Sequence, residues 1–147
     1  MKTTTMKICL YAVMSICMLS CTKGNQPLPD IDYSFSLNSD PIPNQVYLQD
    51  GAIKIRLYVN KTGNVNPTKY FFSYYILEGR GQLTDNTGGS SYVVNEDYQF
   101  TTSTTTDIET LYFKYFPKDT IATEINFLVK NDQGYTSTLA CKFNIAK

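Results

Sequence analysis

After Ile31, apolar and polar residues alternate along most of the chain. In YSFSL, Tyr33, Phe35 and Leu37 fall on one face and Ser34 and Ser36 on the other. In AIKIRLYV, Ile53, Ile55, Leu57 and Val59 point one way and Lys54, Arg56 and Tyr58 the other. Successive side chains of an extended backbone point to opposite faces, so a period of two predicts half-buried strands. The same reading predicts strands in KYFFSYYILEG, in TLYFKYF up to Pro117, in TEINFLV and in YTSTLACKFNI, where Leu139, Cys141, Phe143 and Ile145 share a face. A short strand is expected between the turns GRGQL and DNTGGSS, and SYVV and DYQFTT are shorter candidates. DPIPN, NKTGNVNP and NDQG read as breaks, because proline cannot donate to a ladder and Gly, Asn and Asp favour turns.

Seven to nine short strands and no convincing helix predict an all-β, immunoglobulin-like Greek-key sandwich. Composition supports this: 12 Tyr and 8 Phe suit a pleated, half-buried surface. There is no Trp, and the cysteine pair of antibody domains is missing, so aromatic rings must fill the core. The 147 residues carry a formal net charge of zero, which gives no basic field to attract nucleic acid. The chain has no histidine, hence no histidine base, no Ser-His-Asp triad and no imidazole ligand for a metal. Acidic residues are scattered; Asp30 with Asp32 and Glu96 with Asp97 are the nearest groupings, too few for a calcium site. The expectation is a protein that is not an enzyme, with no cofactor, metal or small-molecule substrate. Cys141, on an apolar strand face, reads as a core thiol.

The first 20 residues are of another kind. Lys2 and Lys7 precede a 12-residue apolar run, Ile8–Leu19, with no acidic residue among them. A bilayer-spanning helix needs about 20 apolar residues, so the run reads as an export signal. It ends in MLSC, Met18–Cys21, which resembles the lipobox of bacterial lipoproteins. In such proteins the signal is cut before the cysteine, whose sulfur accepts a diacylglyceryl group as a thiolate. Met18 and Leu19 depart from the commonest lipobox residues. The predicted division is a lipoprotein signal peptide at 1–20, a lipidated tether at 21–30 and the sandwich at 31–147. Cys9 and Cys17 would leave with the signal, so Cys21 and Cys141 remain and no structural disulfide is expected. Loss of Lys2 and Lys7 leaves 11 − 13 = −2 charges. Thr22, rather than Asp, follows the cysteine, and TKGNQ lacks the acidic run usual in surface lipoproteins of Bacteroidota. The expected location is the outer membrane, reached through Cys21, with the domain facing the periplasm and the cell surface as the alternative.

Two features remain as candidate sites. Tyr70, Phe71, Phe72, Tyr74 and Tyr75 lie on one strand and cannot all point into one core. Tyr70, Phe71 and Tyr75, with Arg80 in the next turn, are therefore a candidate interaction surface. Asp119-Thr120-Ile121 resembles the O-glycosylation motif of exported Bacteroidota proteins, which makes Thr120 a candidate acceptor.

The order of segments IDYSFSLNSDPIPNQV, TKYFFSYYILEGRGQL, NEDYQF and NDQGYTSTLACKFNI resembles the TraQ proteins, small lipoproteins of Bacteroides conjugative transposons. Thr68–Leu83 is its most specific part: a Lys-aromatic start, an aromatic strand and a Gly-basic-Gly-x-Leu turn. The resemblance implies an exported sandwich encoded with a DNA-transfer apparatus and carries no catalytic residue across. The expected function is that of a non-enzymatic, membrane-anchored accessory lipoprotein acting on other envelope proteins of that apparatus. The alternative is a glycan-binding or adhesive lipoprotein using the tyrosines of Tyr70–Tyr75 as a sugar platform.

Overall fold

The computed structural model describes residues 33–63, 69–103 and 106–147. The nine strands are β1 (Tyr33–Ser39), β2 (Gln45–Tyr47), β3 (Ile53–Gly63), β4 (Tyr70–Glu78), β5 (Gly81–Asp85), β6 (Tyr98–Phe100), β7 (Ile108–Pro117), β8 (Thr123–Asn131) and β9 (Thr136–Ala146). Among the described residues the only helical piece is a 3-10 turn, Leu48–Asp50. The signal peptide, Cys21, the tether and Thr68 lie outside the described residues.

The strands form two sheets, ordered β1-β3-β7-β5 and β2-β9-β8-β4-β6. β3 lies beside β7 and β4 beside β8, so the chain crosses repeatedly from one sheet to the other. This is the Greek-key arrangement of an immunoglobulin-like sandwich. β2 pairs in parallel with β9, while the other ladders are antiparallel. The prolines of DPIPN release the chain from β1, and the Asn144 amide then donates to the Asn44 carbonyl at 2.9 Å. That crossing creates β2, which the sequence pattern did not indicate.

The core follows the alternation. Ile53, Ile55, Leu57 and Val59 of β3 are buried, as are Ile125, Phe127 and Val129 of β8 and Cys141, Phe143 and Ile145 of β9. Aromatic pairs join the sheets: Phe72 with Phe113 at 4.9 Å, Phe113 stacked on Phe127 at 5.4 Å, and Tyr115 edge-on to Phe143 at 5.7 Å. Each such pair contributes about 0.5–1.5 kcal/mol beyond its buried area. Cys141 is free and buried.

Two expectations are corrected. Asn60–Gly63 is not loop: β1 pairs with β3 as far as Tyr33↔Gly63, so the strand continues. SYVV forms no strand; Ser91 makes a single bridge to Thr84, after which the chain turns away with Asn95 at φ 66°.

Candidate interaction surface

Strand β4 divides its aromatic residues by parity. Tyr70, Phe72 and Tyr74 are buried, at 0%, 4% and 1% exposure. Tyr70 packs edge-on against Phe35 at 5.5 Å. The expected surface role of Tyr70 is therefore overturned, because its ring is on the core side of the sheet. Phe71 and Tyr75 are on the outer face, where Phe71 is half-buried and Tyr75 is 38% exposed. Ser73 lies between them opposite Leu128 and is buried, so flanking side chains close over it. The face offers one accessible ring rather than a flat row of rings.

Arg80 sits in the turn between β4 and β5, on a framework that explains its flanking glycines. Gly79 has φ 75°, and a Cβ there would come 2.6 Å from the Thr123 hydroxyl. A Cβ on Gly81 would come 2.2 Å from the Tyr115 ring, which packs directly on the glycine backbone. Leu83, the last residue of the motif, is fully buried. The Arg80 Nε donates to Asp119 Oδ2 at 3.0 Å, and the Lys118 amide donates to the Arg80 carbonyl at 2.8 Å. This charged hydrogen bond, with amides of Arg80 and Ile121, holds the Asp119 carboxyl below its ordinary pKa. Arg80 and Thr120 are exposed in adjoining turns.

A third feature was not indicated by any contiguous motif. An open cleft of about 450 Å³ lies between β6 of one sheet and β7 of the other. Phe72 and Tyr92 line it, with Tyr98, Phe100 and Leu111. Tyr98 stacks on Phe72 at 5.4 Å and meets Tyr92 edge-on at 4.8 Å. Burial raises the Tyr92 pKa. Asp85 also lines the cleft. It accepts from the Thr87 hydroxyl at 2.7 Å and the Gly89 amide at 3.0 Å, which lowers its pKa. Ligand sites are commonly apolar concavities of this size with a few polar groups.

The acids Glu78 and Asp85 do not converge: Glu78 lines a separate polar hollow of about 470 Å³ with Glu124 and Lys142. Within that hollow Lys142 and Glu124 pair at 2.8 Å. Cys141 is 2% exposed, and burial pushes its thiol up to about 11. A thiol so held is protonated near neutrality and is a poor nucleophile. Lys61, read as a loop residue, is instead buried, with its Nζ 3.0 Å from Glu109 Oε1 and 2.6 Å from the Ser103 carbonyl. The Ser103 amide also donates to that Glu109 oxygen. Among the described residues, no group of three or more Cys, Asp or Glu is placed to hold a metal.

Fold and surface together define an immunoglobulin-like β-sandwich with an open aromatic cleft between its sheets. Similar architecture is found in three solved structures. A conjugative transposon lipoprotein from Bacteroides eggerthii matches with TM-score 0.59 and 20% identity, over 75% of this chain and 96% of that one. A lipoprotein from Bacteroides thetaiotaomicron matches with TM-score 0.56 and 20% identity, over 76% and 79% of the two chains. A conjugate transposon protein from Bacteroides vulgatus gives TM-score 0.56 and 20% identity over 82% and 91%. The family model of the TraQ conjugal transfer protein matches residues 4–146, and the chain belongs to that family. No curated protein sequence matches significantly.

Proposed function

We propose that this TraQ-family chain is a membrane-anchored accessory lipoprotein of a conjugative transfer apparatus, acting through protein contacts in the envelope. The family match carries the reading, because it spans the amino-terminal segment as well as the sandwich. The MLSC segment supports lipidation at Cys21 after cleavage of residues 1–20. Several acyl chains on one residue give durable anchoring, at about 0.8 kcal/mol per buried CH₂. The similar proteins described as lipoproteins agree with this. We place the domain on the periplasmic side of the outer membrane, with residues 21–30 as tether and Thr120 as an accessible acceptor for an O-linked glycan. Its partners are proteins rather than DNA, since the cleaved chain, with a formal charge of 11 − 13 = −2, provides no counterion-release drive. The role is binding and not catalysis. The sugar-platform alternative loses its main support with the burial of Tyr70.

The test is transfer frequency of the resident element after deletion of the coding region for residues 21–147. A sharp drop, restored by the wild-type chain and not by Cys21→Ala, is expected. Unchanged transfer would remove the protein from the conjugation machine.

A further inference from the structure

Strand β7 is longer than its neighbour. It pairs with β3 from Asn60↔Ile108 to Ile53↔Tyr115, but with β5 only from Asp85↔Phe113 to Gly81↔Pro117. Among the described residues, its first half therefore has a strand on one side only. The parity of the ladder identifies the open groups. The Lys61 amide donates to the Asp107 carbonyl at 2.6 Å, so odd-numbered residues of β7 bond to β3. The Lys118 amide bonds to Arg80 on the other side, so even-numbered residues face β5. Ile108, Thr110 and Tyr112 thus direct their backbone N–H and C=O to an edge that β5 no longer covers. The aromatic cleft opens along that edge, with Thr110, Leu111 and Tyr112 in one wall and Gln99 and Phe100 of β6 in the other.

We propose that the open edge of β7 at Ile108–Tyr112 binds an extended segment of a partner polypeptide as an added strand, in line with β5, with apolar side chains at alternate positions entering the aromatic cleft. A polypeptide suits this edge because it repeats donors and acceptors every second residue, at about 6.8 Å, as an unfilled ladder requires. The cleft supplies selectivity: its Phe72, Tyr98 and Phe100 walls reward an apolar side chain, and with Asp85 also in the lining they leave an acidic one unpaired. The neighbouring edge is already occupied, since the Tyr92 amide bonds to the Leu83 carbonyl at 2.9 Å on the far side of β5. This proposal rests on the reading that the protein works through protein contacts, and it names the surface.

The experiment places a photo-crosslinking amino acid at Asn86 or Gln99, both exposed beside the cleft, in the full chain in donor cells. A control probe is placed at Thr138 on the opposite edge. The crosslinked partner segment is then synthesised as a peptide and bound to the full chain in detergent. Slowed amide exchange at Ile108, Thr110 and Tyr112 is expected, with Kd at least tenfold weaker when alternate peptide nitrogens are methylated. Thr110→Pro, which removes one edge donor, should weaken binding similarly; the peptide methylation answers the same question if that variant does not fold. Crosslinks at Thr138 alone, none at the cleft, a glycan in place of a peptide, or binding indifferent to methylation would overturn the proposal. Loss of transfer on deletion without cleft crosslinks would refute this edge while leaving the conjugative role standing.

Discussion

Lys61 shows what one buried charge demands. Its side chain is 1% exposed and its partner Glu109 is 17% exposed. Removing one member of a buried pair strands the other, at a cost of about 3–5 kcal/mol, whereas replacing both by apolar groups is often neutral. Lys61→Met is therefore expected to lose about 3 kcal/mol in urea unfolding, and Lys61→Met with Glu109→Leu to regain most of it. Equal loss in both would show that the pair is not the unit. Cys141 makes the opposite case of a potentially reactive group silenced by packing. Its peptide should resist thiol alkylation at pH 8 in the native protein and be labelled on unfolding. Rapid native labelling would contradict the burial.

The turn that joins β4 to β5 is governed by space more than by flexibility. Gly81 lies under the Tyr115 ring, where a methyl group has no room. Gly81→Ala should cost about 1–3 kcal/mol through overpacking. Gly79→Ala adds a side chain at φ 75° as well as a contact with Thr123, so it should also be destabilising. If both variants melt like wild type, the Gly-Arg-Gly motif is held for a reason other than packing. Just before this turn the register of β4 against β8 shifts between Ile76 and Glu78. The inserted Leu77 is left 59% exposed, the expected result of a bulge that re-aims one side chain.

The pH dependence of the sandwich reflects its lack of histidine. No side chain has an ordinary pKa between about 5 and 8, so stability should be flat through that range. Asp85 and Asp119 have pKa values below 3.8, because hydrogen bonds favour their charged forms in the fold. Their contribution is complete above that value and disappears as pH falls through the folded-state pKa. Cys141 has its pKa raised from 9.0 to about 11, so the unfolded state loses that proton first. Stability should decline between about pH 9 and 11, by roughly 2–3 kcal/mol from this thiol. Buried Tyr74 and Tyr115 and half-buried Tyr92, also raised, act in the same direction. Urea midpoints across pH 3–11 measure the whole curve. A steep step near pH 6–7 would contradict it.

Alternation along the chain was enough to specify nearly all of the long strands and the core face of β3, β8 and β9. A strand with one buried face admits only one phase of a period-two pattern. The same parity extends to Lys61 at the end of the run from Ile53, and to Tyr70 in phase with Phe72 and Tyr74. Both core assignments were present in the pattern, but the polarity of Lys61 and the density of rings around Tyr70 obscured them. The pairing of β2 with β9, the partner of Lys61 and the placing of Glu78 and Asp85 in different cavities were not legible, because each joins residues far apart in the chain. The cleft belongs to the same class. It exists because β5 stops at Asp85 while β7 continues to Ile108, and a mismatch between two strand lengths exists only once those strands are side by side.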